Sequence, residues 1–295
     1  MNSQKVAYFY ALGASLSFST ASLLFAVYAR RFSSIWMNYF KTTVCFFCLT
    51  LAVIFAVDWQ PVPWDVAGAL VLSGILGLAI GDLFLLAAYA RMGAGRTLIL
   101  FGFQPLILGV SSWYLFAQPL NSYKLVAVLF FLLCLYIFSL EKFKESGHWE
   151  ITGLLAALLG VVLDNSGILL TRWSFNSAPE MGVIQANFIR AGGAIVFFIT
   201  MNPILKSGLV KNFMSLDKKE RISIFTASIF GTIVSLILYL SAVRVAHLAS
   251  ISAIGVFGPL YSTSLECLIA RKPPSRYLIF AMFSFIIGFI ILLTF

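Results

Sequence analysis

Four ionisable side chains lie deep inside long apolar stretches of this sequence: Lys41, Asp82, Asp164 and Arg190. A charge at the centre of a bilayer costs a few kcal/mol or more, so each of the four is a functional candidate. Lys41 and Arg190 have the charge to grip an anionic group from two sides; alternatively, each fixes its own helix by bonding a neighbour's carbonyls or a carboxylate. Asp82 and Asp164 can bind and release a proton as access to them alternates, or touch a substrate. The competing reading pairs each aspartate with Lys41 or Arg190 in a static buried ion pair.

Polar neighbours extend this set. Asn38 and Asn187 stand three residues before the two cations, Asn165 follows Asp164, and Tyr89 lies seven residues after Asp82 on the same helical face. Ser19 stands opposite Asp164 when the two halves are aligned, and Gln104 precedes Pro105. Pro105 and Pro259 interrupt apolar stretches, and a proline inside a helix frees the carbonyl four residues earlier, here Phe101 and Gly255, either to face a cavity or to let the helix bend for packing. Glu266 near a span end and His247 in a short loop are weaker candidates. Cys45, Cys48, Cys134 and Cys267 all fall within apolar stretches, so the Cys45/Cys48 spacing is read as packing, and neither a metal nor a cofactor is expected.

The elements that must position these groups are set by composition. With 61% hydrophobic and 11% charged residues over 295 positions, the chain is too apolar for water. Ten runs near 6–29, 34–57, 66–89, 97–117, 122–140, 151–171, 181–201, 222–243, 248–269 and 276–295 are long enough for helical spans. A barrel would show alternating strands of about ten residues, which runs such as 126–140 lack. Trp36, Trp59, Trp64, Trp149 and Trp173 fall at predicted span ends and Trp113 one turn inside, as headgroup-seeking indoles should. The first run is read as a retained span, longer than a signal-peptide core.

The net charge of +9 comes from basic residues set singly or in pairs between spans, which excludes a nucleic-acid surface. Sorted by side, fourteen basic residues (Arg30, Arg31, Arg91, Arg96, Lys142, Lys144, Lys206, Lys211, Lys218, Lys219, Arg221, Arg271, Lys272, Arg276) oppose four (Lys5, Lys124, Arg172, Arg244). The positive-inside rule then puts both termini on the non-cytoplasmic side.

A shift of 154 residues superposes spans 3 to 5 on spans 8 to 10 without a gap, matching Phe103-x-Pro105-Leu106 with Phe257-x-Pro259-Leu260 and Pro119 with Pro273. Asn38 to Lys41 answers Asn187 to Arg190 at a slightly shorter offset, and Ser15, Ser19 and Ser22 face Gly160, Asp164 and Gly167. The reading is an all-α integral membrane protein of ten transmembrane helices as two five-helix repeats, 1–145 and 146–295. Five spans per copy is odd, so the second copy is inverted. Asp82 aligns with Leu236, and this broken symmetry marks it out. Small residues at Ser73, Gly77 and Gly81, echoed by Gly231 and Ser235, are read as close helix packing.

These features together resemble the drug/metabolite transporter superfamily, in particular its EamA-like branch, over essentially the whole chain. The resemblance is carried by the repeat, the cations Lys41 and Arg190, the Phe-x-Pro-Leu turns and the break Gln118-Pro119-Leu120. Gln118 and Lys272 stand where the family often has Glu. The resemblance implies a cavity lined by helices 1, 3, 4, 6, 8 and 9, and cytoplasmic termini, the reverse of the charge reading, which is kept here. It also implies a secondary transporter, an exporter of amino acids or related small metabolites working by alternating access, coupled to protons or to exchange. The partners are then a small metabolite, protons in the coupled case and membrane lipid, in a monomer or homodimer, with a bacterial inner membrane as the expected location. The alternatives are a lipid flippase or a non-transporting subunit of the same fold. A phosphate-binding GxxxxGK[ST] loop is missing, which disfavours a pump, and His148 and His247 in separate loops are poor material for a membrane enzyme.

Overall fold

The computed structural model describes residues 3–118, 121–146, 150–269, 271 and 273–294. Pro119, Leu120, His148, Trp149 and Lys272 lie outside the described residues, as do the side chains of Arg96, Lys142 and Glu266.

The described chain is helical and holds no strand. The helices are α1 (Ser3–Arg31), α2 (Ser34–Ala56), α3 (Trp64–Met92), α4 in two pieces (Ala94–Phe101 and Gln104–Phe116), α5 (Ser122–Ser146), α6 (Ile151–Ser177), α7 (Val183–Leu205), α8 (Lys218–Val245), α9 in two pieces (Leu248–Ile254 and Phe257–Ile269) and α10 (Arg276–Thr294). Among the described residues nine of these are long and apolar enough to cross a membrane, while α5 has a shorter apolar stretch, Ser122–Ile137. Helices are what lipid permits, because each satisfies its own backbone. The outward surface agrees, with large apolar side chains such as Phe55, Tyr114 and Ile204 turned away from the bundle.

Several ends fall beyond the expected spans for local reasons. α8 starts at Lys218 instead of 222 because Asp217 and Glu220 form a reciprocal capping box that satisfies its first amides. Ser33 caps α2 by accepting the Trp36 amide at 3.0 Å. Trp36 corrects the headgroup expectation: it is fully buried, stacked on Phe40 at 5.4 Å, and its indole donates to Leu209 O at 3.1 Å. Trp64 and Trp113 do face outward.

Two kinds of irregularity recur at positions that overlap under a shift of 154 residues. α3 widens into a π-helical stretch at Gly74–Gly81, and α8 does so at Ile229–Val234. α4 breaks after Phe101 and α9 after Ile254, in both cases through i to i−3 bonds, Gly102 N to Ile99 O (3.0 Å) and Val256 N to Ala253 O (3.1 Å). Pro105 and Pro259 thus begin new helical pieces, where a missing amide costs least. The same offset links Ala117 and Arg271, which both take left-handed backbone with φ of 48° and 52°. α5 and α10 pack along one another through Phe131 and Phe285 (5.2 Å) and a Ser284 Oγ to Phe130 O bond of 2.8 Å.

Candidate functional site

The site is built on the π-helical stretch of α3. Asn38 of α2 reaches two carbonyls of these wide turns, its Nδ2 donating to Leu78 O (3.1 Å) and to Ala79 O (2.8 Å), which also accepts the Asp82 amide. Glycine lets neighbouring backbones come close: a Cβ on Gly74 would stand 1.8 Å from Arg190 O, and one on Gly193 would stand 2.4 Å from Val71 O. On the other side a Cβ on Gly167 would meet Ser73 O at 2.9 Å. α6 and α7 are therefore drawn onto α3, which brings Asp164 and Arg190 to the level of Asp82.

Lys41 Nζ meets Asp82 Oδ2 at 2.5 Å, with 3% and 16% of the two side chains exposed, and sits 5.7 Å from the Phe25 ring centre. Lys41 and Asp82 are thus paired with each other in this structure. Asp164 forms no ion pair among the described residues; its Oδ2 accepts from Gln104 Nε2 at 2.7 Å. Arg190 donates through Nε to Ser73 Oγ at 2.9 Å, and Ser73 donates on to Gly167 O at 2.6 Å. Arg190 and Asp164 are nevertheless neighbours, since Arg190 Nη2 and Asp164 Oδ1 both lie 3.6 Å from where a Cβ on Gly77 would be.

These groups surround a cavity of about 160 Å³. Lys41, Asp82, Asp164, Arg190, Gln104 and Ser19 are all on its wall, which draws on α1 to α4 and α6 to α9. Apolar surface from Leu78, Leu98, Phe101 and Ile168 completes it. Tyr89, Asn38, Asn165 and Asn187 are buried but do not line this cavity. Pro105 and Pro259 sit beside wall residues Gln104 and Gly258. The carbonyl of Gly255, expected to be freed by Pro259, accepts from Gly258 N (2.9 Å) and Ser15 Oγ (3.3 Å). His247 at the start of α9 contacts Gln118 O through Nε2 at 2.9 Å, and Gln118 Oε1 accepts the Leu248 amide at 3.3 Å. Gln118 therefore ties the end of α4 to the start of α9.

Thr232 and Tyr239 of α8 also line the cavity and were not picked out from the sequence. The signal was available for Tyr239: it aligns with Leu85, the same loss of symmetry that marks Asp82. Ser73, read only as a packing residue, is the partner that holds Arg190.

The model of the EamA-like transporter family matches residues 5–140. No curated protein matches the sequence. A solved crystal structure of a protein is similar with a TM-score of 0.71 at 16% identity, over 97% of this chain and 95% of that one. At that identity the likeness is one of fold.

Proposed function

We propose that this chain, whose residues 5–140 belong to the EamA-like transporter family, is a secondary transporter that moves small metabolites by alternating access. The observation that carries the reading is the cavity whose wall holds Lys41, Asp82, Asp164 and Arg190 together. Buried charges in a membrane bundle belong to substrate and ion pathways, and this cavity is where α2, α3, α6 and α7 put theirs.

The architecture that suits this role is ten spans in two inverted copies, 1–145 and 146–295. It is supported by the paired π-helical stretches and the paired breaks in α4 and α9, which overlap under a shift of 154 residues, and by the left-handed residues Ala117 and Arg271, which coincide under it. Two similar but unequal halves can exchange complementary shapes about a shared midplane cavity. The basic-loop count places the ends of α1 and α3 in the cytoplasm, and an exporter of amino acids or related metabolites fits the family and the small mixed-polarity cavity. Asp164 is the candidate for proton coupling, because Lys41 already holds Asp82.

The test is uptake and counterflow in proteoliposomes with a panel of labelled amino acids and related metabolites, with and without a pH gradient. Gradient-driven accumulation in the wild type, lost in Asp164→Asn while counterflow persists, is the expected result. Gradient-independent exchange would remove the coupling role, and no flux of any compound would remove the transporter reading in favour of a flippase or a subunit.

A further inference from the structure

The cavity wall carries donors that the fold leaves idle. Lys41 is engaged by Asp82, and Gln104 donates to Asp164. Arg190 is 1% exposed, and while its Nε serves Ser73, its Nη1 has no hydrogen-bond partner. The hydroxyls of Thr232 and Tyr239 are also buried and unpartnered. All three residues line the same cavity, Arg190 from α7 and the other two from α8. A buried donor without an acceptor is costly, and most costly when charged. Three of them around one cavity make a place for an acceptor that carries negative charge.

We infer that the α7–α8 wall is an anion subsite that holds a carboxylate of the substrate on Arg190, Tyr239 and Thr232. The inference rests on the transport reading above and deepens it. It also moves the anion away from the two-sided grip expected of Lys41 and Arg190, since Lys41 is already neutralised. The anion carries a single charge. Asp164 shares the cavity, its Oδ1 as close to the Gly77 position as Arg190 Nη2 is, so a phosphate dianion would meet a carboxylate with one guanidinium to offset it. The guanidinium supplies a charge-assisted bond and the two hydroxyls donate to the remaining lone pairs. A site built to satisfy a polar group rejects analogues that lack it far better than an apolar pocket rejects a change of size. Tyr239 and Thr232 are thus specificity residues.

Arg190 also holds Ser73 and packs against Gly74, so its replacement would disturb the fold. Tyr239→Phe and Thr232→Val each remove a hydroxyl and little else. The experiment is calorimetric titration of the purified full chain in nanodiscs with L-leucine, 4-methylpentanoate and 3-methylbutylamine, which share one apolar body and differ in their charged groups. The two carboxylates should bind and the amine should be weaker by roughly a hundredfold or more. Each variant should weaken carboxylate binding roughly tenfold. Equal binding of amine and 4-methylpentanoate, no binding of either carboxylate, or unchanged affinity in both variants would overturn the subsite. The readout needs no flux. Carboxylate binding that depends on Tyr239 in a protein without transport would sink only the transporter reading, and flux indifferent to the carboxylate would sink only the subsite.

Discussion

Lys41 and Asp82 illustrate what a buried pair does at the scale of single residues. Removing one member strands the other in a low-dielectric site, so Asp82→Ala should lower stability by about 3–5 kcal/mol, whereas Lys41→Met with Asp82→Leu should recover most of the loss. Thermal unfolding of the three variants in one detergent checks this, and a double variant as unstable as the single one would contradict it. Asn38→Leu should cost about 1–3 kcal/mol for the two buried bonds to the carbonyls of Leu78 and Ala79 that it removes. The ionisable residues were legible in the sequence because charge is conspicuous among Leu, Val and Phe. Their partners were not: nothing in the spacing of Lys41, Asp82, Asp164 and Arg190 says which cation meets which carboxylate, because that depends on helix rotation. Thr232 and Tyr239 escaped notice because a hydroxyl in an apolar span is ordinary, and only the cavity gives it meaning.

At the scale of elements, the spans were readable because each is a long apolar run that lipid allows only as helix. The π-helical stretches were not, since Gly74–Gly81 and Ile229–Val234 have the same apolar composition as the α-helical turns around them. The close approach of α3 to α6 and α7 through glycine gives a graded set of predictions. Gly74→Ala places a methyl 1.8 Å from Arg190 O and should prevent docking of α7, with little folded protein recovered. Gly68→Ala meets nothing within 4 Å and should be stable, gaining from helix propensity if anything. Monodispersity and melting temperature after purification measure both. A well-folded Gly74→Ala protein would mean that α3 and α7 do not pack as described.

At the scale of the whole molecule, two ion pairs lie at the face where α1 and α3 end and α6 and α8 begin. Arg31 pairs with Glu220, and Arg91 pairs with Glu150 at 3.3 Å. They are partly exposed, so each contributes about 0–1 kcal/mol to stability. Their position is more telling than their strength, because each joins an early helix to a late one. Under the alternating-access proposal that face must part, so Arg31→Cys with Glu220→Cys, joined by a short thiol-reactive crosslinker, should halt transport, and a reductant-cleavable linker should restore it. Flux that continues unchanged through the crosslinked protein would show that α1 and α8 need not separate there. The four native cysteines serve as the background control, since all lie within helices.

The widened turns of α3 carry a consequence for how such a chain tolerates insertions and deletions. A π-helical turn holds more residues than the α-turn it replaces, so Gly74–Gly81 is a place where the chain carries surplus length without breaking the helix. Deleting one residue there would let the stretch relax to regular geometry and keep the helix beyond it close to its present rotation, whereas the same deletion in a regular α-turn would rotate everything beyond it by about 100°. Asp82 would stay near Lys41 while Ser73, on the near side, kept its bond to Arg190. In an indel library of this gene, the codons for 74–81 should therefore accept a single deletion that the codons on either side of them do not.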